Sequence, residues 1–149
     1  MMIQIYYYRH CEGDSPKQAG KKQMDCFALL AITAKQNIIN DEATLRSHAK
    51  SFLPRELDFL AKAYGFKYTQ VKIRNSRTRW GSCSSKGMIN LSFYLMLLPP
   101  HLIRYVLLHE LCHTVQMNHG PAFWNLLDQC TDGEAKKLRK EMKKYQIPR

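Results

Sequence analysis

A chain of 149 residues is long enough to bury one core and too short for two comfortable ones, so one site on one scaffold is the expectation. Its 45% hydrophobic and 11% aromatic content excludes a disordered tail, and no apolar run approaches the roughly 18 to 20 residues of a membrane span. Lys and Arg number 23 against 12 Asp and Glu, a formal charge of +11, which fits either a solvated basic surface or attraction to a polyanion such as nucleic acid or a nucleotide phosphate.

Ile3, Ile5 and Tyr7 alternate with Gln4, Tyr6 and Tyr8 like a strand, and the polar stretch from Gly13 to Lys22 reads as a loop. The N-terminus lacks a charged start followed by an apolar stretch, so it does not read as a signal peptide and a cytoplasmic location is expected. Cys11, Cys26, Cys83, Cys112 and Cys130 form an odd, scattered set without a CxxC pair, better read as reduced thiols than as a disulfide framework. Phe27 to Ala34 is a short apolar run whose periodicity does not separate strand from helix. Residues 1–40 are thus a short β/loop segment, and residues 41–149 hold the main domain.

From Asp41, apolar residues Ala43, Leu45, Ala49, Phe52, Leu53, Leu57, Leu60, Ala61 and Tyr64 recur at helical spacing. Gly65 is placed to stop this helix, and Pro54 marks where it could bend. Tyr68, Val71 and Ile73 read as a strand, Gly81 to Lys86 as a Gly/Ser-rich connection and Met88 to Phe93 as a second strand, giving a hairpin or short meander. Pro99 and Pro100 open a helix expected to run to about Met117, followed by shorter helices at Pro121 to Cys130 and Glu134 to Tyr145.

The chemistry centres on His109-Glu110-Leu111-Cys112-His113, an HExxH sequence within that helix. Four residues turn a helix by about 400°, so His109 and His113 project on nearly one bearing and can reach one ion, while Glu110 lies about 100° round, beside a metal-bound water. Leu102, Ile103, Val106, Leu107, Leu108, Leu111 and Val115 surround the helix, and polar groups buried among them need a partner that a divalent ion supplies. A catalytic zinc needs a third ligand, and His119 is in range if the chain breaks after Gln116, because ten residues of straight helix would carry it about 15 Å from His109. Asn118 near a left-handed cap would make that break. Cys112 points away from the histidine stripe and reads as a core thiol; His10, His48 and His101 have no comparable partners.

Arg79-Trp80-Gly81-Ser82-Cys83-Ser84-Ser85-Lys86-Gly87, Ile89-Asn90-Leu91, Leu97-Leu98-Pro99-Pro100, the HExxH run and Asn118-His119-Gly120-Pro121-Ala122-Phe123-Trp124 together resemble the YgjP-like family of zinc metallopeptidases. The resemblance covers roughly residues 41 to 131; family members carry a larger β-rich segment upstream, so the chain reads as shortened or diverged there. It implies an α+β, minimal zincin-like domain, in which a small twisted sheet packs on a long N-terminal helix and a buried HExxH helix. WLM and SprT-like proteases, associated with protein–DNA crosslinks, have similar motifs. The histidine spacing coincides with the metzincin signature, but Gln116 replaces the glycine found there.

A zinc-dependent hydrolase of metallopeptidase type follows, with one catalytic Zn2+ on His109, His113 and His119 and Glu110 as general base toward the metal-activated water. The strand at Met88 to Phe93 could bind an extended peptide along its edge. Arg77, Arg79, Asn90 and Tyr94 are the candidate substrate-binding residues, and Tyr105 is a further candidate electrophilic helper. Trp80 reads as a core residue with Gly81 permitting a tight turn, and Trp124 as packing beneath the site. Two alternatives keep a place: a nucleotide phosphoanhydride hydrolase using Arg74, Arg77 and Arg79, and a DNA-associated protease whose Lys136, Lys137, Arg139, Lys140, Lys143 and Lys144 meet nucleic acid. Because Ala135, Leu138, Met142 and Tyr145 give the last helix an apolar face, its basic residues read first as its solvated side.

Overall fold

The computed structural model describes residues 42–148. The strand, loop and apolar run expected within the first forty residues lie outside the described residues.

Helix α1, Glu42–Tyr64, buries Leu45, Ala49, Leu53, Leu57, Leu60 and Ala61, a stripe at helical spacing along one face. Ala43, at the first turn, is exposed, and the helix continues unbroken through Pro54. Gly65, at φ +73°, ends it: the Phe66 amide donates to the Ala61 carbonyl, satisfying a carbonyl the helix leaves open.

Three strands follow, β1 (Gln70–Arg74), β2 (Gly81–Cys83) and β3 (Met88–Ser92), in the order β1-β3-β2. β3 runs parallel to β1, with Val71 opposite Ile89, and antiparallel to β2, with Ser82 opposite Asn90. The sequence reading of Gly81 to Lys86 as wholly connection is therefore corrected. Gly81–Cys83 is a strand, and the turn is confined to Ser84–Gly87, where Gly87 takes φ +72°. Three residues are too few for alternation to register, and Gly and Ser have low strand propensity. A second correction concerns peptide pairing: β3 is the central strand, with β1 and β2 on either side, so it has no free edge.

A 3-10 helix, Phe93–Leu97, leads to α2, Pro100–Cys112. Pro100 at the first helical position costs no hydrogen bond, because the amide it lacks would have had no partner inside the helix. α2 is buried almost all round, including Leu102, Ile103, Val106, Leu107, Leu108 and Leu111. Helices α3 (Pro121–Cys130) and α4 (Ala135–Met142) complete the fold. Tyr64 donates its hydroxyl to the Cys130 carbonyl, tying α1 to the end of α3, and the Asp128 carboxylate accepts the Ala135 amide at the start of α4. α4 buries Ala135 and lays Leu138 and Met142 against the core, as the apolar face read from sequence requires. Among the described residues no helix is long and apolar enough to cross a membrane.

Candidate metal centre and its cavity

The α2 helix ends sooner than its sequence pattern implies. The Thr114 amide bonds to the Leu111 carbonyl and the Val115 amide to that of Cys112, a tightening of the last turn that closes the helix at Cys112. His113 is the C-cap, in right-handed conformation at φ −67°. Asn118 is not left-handed: the only described non-glycine residue at positive φ is Asp132. The reversal is made instead by the right-handed turn after Cys112, which leaves Val115 59% exposed rather than packed in the core.

That early break carries His119 back to the helix. The Nε2 atoms of His109, His113 and His119 form a triangle with sides of 3.2 Å (His113–His109), 3.1 Å (His113–His119) and 3.0 Å (His119–His109). Nitrogen ligands at about 2.0–2.1 Å in a tetrahedron stand about 3.3 Å apart, so one small divalent ion fits all three. The donor set suits it chemically. The Nδ1–H of His113 donates to the Gln116 carbonyl at 3.0 Å, which fixes the tautomer that leaves Nε2 with a free lone pair. Burial, reinforced by His113 and His119, pulls the His109 imidazole down to about 3, so it is in the neutral, ligating form at ordinary pH.

Phe123 is the floor of this triangle. Its ring is fully buried and its centroid lies 4.9, 4.5 and 4.7 Å from those of His109, His113 and His119. Pro121 at the first position of α3 places Phe123 and Trp124 in the first turn, directly after His119. Trp124 donates its indole N–H to the His119 carbonyl at 3.1 Å, holding the backbone of the connecting loop. Sequence reasoning singled out the histidines and passed over Phe123, although it sits in the same motif.

Glu110 is 5% exposed, and its Oε2 is buried without a hydrogen-bond partner. Burial pushes its carboxyl up to about 8. Gly81 on β2 makes room for it: a methyl group at that position would lie 2.7 Å from Glu110 Oε1 and 2.8 Å from Cγ. Gly81 is thus needed for a close approach between strand and helix, not for the tight turn read from sequence. An orphaned, buried carboxyl oxygen costs several kcal/mol unless a bound group completes it, which is a second observation that fits a metal-centred site.

The site opens into a cavity of about 590 Å³. His109, Glu110 and His119 form one side, and Trp80, Gly81, Tyr105 and Trp124 line it further. Arg139, Met142, Lys143 and Tyr145 border it from the C-terminal segment. Trp80 and Trp124 therefore face the cavity as well as the core. The substrate-binding candidates lie elsewhere: Arg77 pairs with Glu42 at 2.9 Å, Tyr94 donates its hydroxyl to the same carboxylate at 2.5 Å, and Asn90 accepts from Arg74. Arg79 is exposed, with its amide on Ser76 Oγ. None of the four lines the cavity. Cys112 is fully buried, and hydrogen bonding to Cys130, with burial, pushes its thiol far up, so it remains a neutral core thiol.

On this α+β scaffold three histidines that could hold one ion converge beside a buried carboxyl, and comparison with known proteins gives the family. The family model described as YgjP-like, metallopeptidase domain matches residues 13–145. This chain belongs to the YgjP-like metallopeptidase family, and so to the metal-dependent hydrolases. The match begins upstream of residue 41, where the sequence reading placed the start of the resemblance. Among solved structures the fold is similar to the metallopeptidase zymogen abylysin of Pyrococcus abyssi, at 26% identity and a TM-score of 0.54, over 62% of this chain and 94% of that one. Jannalysin of Methanocaldococcus jannaschii, also a metallopeptidase zymogen, is 22% identical with a TM-score of 0.47, over 60% of this chain and 96% of that one. No curated protein matches the sequence.

Proposed function

We propose that this protein is a zinc-dependent peptidase in which His109, His113 and His119 hold one ion and Glu110 is the general base. The observation that carries this reading is the triangle of Nε2 atoms, 3.0–3.2 Å on a side, next to a buried carboxyl with an oxygen left unpaired. When bound, zinc acidifies a water toward a pKa of about 7 and polarises a carbonyl.

The chain's own residues do the rest. The three imidazoles would hold the ion at the cavity, which His109 and His119 line, and three protein ligands would leave room for water or substrate. Glu110, one residue after His109, has its carboxylate available to take a proton from the attacking water and pass it to the leaving amine. Burial raises the pKa of its carboxyl, and a cation held by the histidines would lower it again and favour the carboxylate that accepts the proton. Tyr105, one helical turn before His109 and lining the cavity, has a hydroxyl that burial holds protonated, so it can donate a hydrogen bond to a developing oxyanion. Among the described residues β2 has an unpaired edge, and it carries Gly81 at the cavity wall, so an extended peptide added there runs past the site.

Nucleotide hydrolysis is less well served: Arg74, Arg77 and Arg79, the arginines it would use, do not line the cavity. The test is hydrolysis of a peptide library and of nucleoside triphosphates by wild-type protein and Glu110→Gln, both loaded with zinc. Peptide cleavage lost in Glu110→Gln is expected. Triphosphate hydrolysis without peptide cleavage would overturn the peptidase reading, and full activity in Glu110→Gln would overturn the base.

A further inference from the structure

Helix α4 brings positive charge to the metal centre's cavity, and the proposed reaction makes no use of it. Arg139, in the last turn of α4, and Lys143, its C-cap, line the same cavity as His109, Glu110 and His119. Read from sequence, they belong to a solvated basic face; in the structure both are exposed, as that reading expects, and both also border the site. Arg139 is held in place, with its guanidinium carbon 4.8 Å from the centroid of the Trp124 ring. Trp124 in turn is hydrogen-bonded to the backbone of His119, so the ring beneath the arginine is tied to a proposed metal ligand. Among the described residues neither cation has an ion-pair partner. The neighbouring acids on α4 are engaged elsewhere, Glu141 with His101 at 2.8 Å and Glu134 with Lys137 at 2.8 Å.

We infer that Arg139 and Lys143 form a recognition site for a substrate carboxylate, so that the enzyme prefers peptides carrying a negative charge close to the scissile bond. This rests on the peptidase reading above and names its substrate class. An arginine over an indole face keeps N–H donors free, and such a fork can receive a carboxylate through two parallel hydrogen bonds. Lys143 adds a second, mobile charge. Around them Tyr105, Met142 and Tyr145 are apolar bodies suited to the hydrocarbon part of a side chain. Two cations on an aromatic wall match one carboxylate better than the three to four charges of a nucleoside triphosphate. The carboxylate has two sources, the free end of the substrate chain or an Asp or Glu side chain.

The test uses three matched fluorogenic peptides: neutral with an amidated end, neutral with a free end, and amidated with one Glu flanking the cleaved bond. Zinc-loaded wild-type protein should cleave a carboxylate-bearing peptide with kcat/KM at least tenfold above the neutral amidated one, through KM. Which arm shows the gain identifies the source. In Arg139→Gln the preference should collapse to within about twofold, and Arg139→Lys should restore part of it. Calorimetric binding of the same peptides to zinc-loaded Glu110→Gln separates the two claims. Tenfold tighter binding of a carboxylate peptide there, with no cleavage by wild type, overturns the peptidase reading and sustains the recognition site. Cleavage of all three peptides at equal kcat/KM overturns the recognition site and sustains the peptidase. A nucleoside triphosphate that binds in an Arg139-dependent way, while no carboxylate peptide does, overturns it as well.

Discussion

Gly81 and Glu110 are packed so closely that the strand residue cannot bear a side chain: a methyl group on Gly81 would fall 2.7 Å from the carboxyl oxygen and 2.9 Å from its carbon. Both are held by neighbours, Gly81 by pairing with Leu91 across the hairpin and Glu110 by its place on the buried helix α2. Something must give on substitution, and the carboxyl is the softer partner. Gly81→Ala should therefore retain one zinc per chain while losing about 100-fold in kcat, the scale on which a shift of about 1 Å acts on a catalytic group. Metal content and peptide turnover measured on the same preparation check this. Unchanged kcat would show that Glu110 need not sit where Gly81 allows it.

Phe123 stacks against His113 at 26° and meets the other two imidazoles edge-on. Phe123→Ala removes a fully buried ring, which should lower stability by about 3–5 kcal/mol and loosen the histidine triangle together with it. Denaturant unfolding with and without zinc separates the effects. The zinc-dependent gain in stability should shrink in the variant as well as the baseline.

The pH dependence of the metal-free protein follows from opposed shifts in the site, Glu110 raised and His109 and His113 lowered by burial. Glu110 is raised from 4.5 to about 8 by burial, so between these values the folded state holds a proton that the unfolded chain has released, and stability falls as pH rises. His109 is lowered from 6.5 to about 3, mainly by burial and then by His113 and His119, so over that interval the unfolded chain binds the extra proton and stability rises with pH. Above about pH 6.5 only the Glu110 contribution remains. From there to pH 8 the metal-free protein should lose roughly 2 kcal/mol, at 1.36 kcal/mol per pKa unit. Glu110→Gln should flatten that limb in chelator-treated samples followed by thermal or urea unfolding.

Trp124→Phe keeps the ring but deletes the indole N–H that the His119 carbonyl accepts. His119, the exposed member of the triad, then loses one restraint on its loop. Zinc affinity should fall about tenfold, at the lower end of the range for groups that hold metal ligands in place. Competition with a chromogenic chelator gives the value. Loss of the Arg139 contact should be small, because phenylalanine still offers a π face.

The length of α1 was legible because its apolar residues repeat at helical spacing over several turns, and the HExxH pair because its two histidines stand one helical turn apart. Gly65, Pro100 and Pro121 were legible because backbone chemistry restricts where they can stand. The third histidine was readable as a distance problem, but the solution differed: α2 closes at Cys112 through tightened right-handed turns, with no left-handed residue at Asn118. Such a closure depends on bonds from Thr114 and Val115 that any residues can make, so no side chain announces it. β2 escaped for a similar reason, as three residues beginning with glycine carry no alternation. The cavity's far wall was hidden most of all. Arg139 and Lys143 are exposed, as a solvated face requires, and only the packing of α4 shows that they also border the cavity.

The claim beneath all of these is that three imidazoles hold one zinc. Its most direct measurement is metal content by elemental mass spectrometry on protein purified without added metal, alongside His109→Ala, His113→Ala and His119→Ala. One zinc per chain is expected in the wild type, with loss of stoichiometric metal in each variant. A folded wild-type protein that takes up no stoichiometric zinc even when it is supplied, or a His119→Ala variant that binds it as tightly as wild type, would contradict the proposed centre.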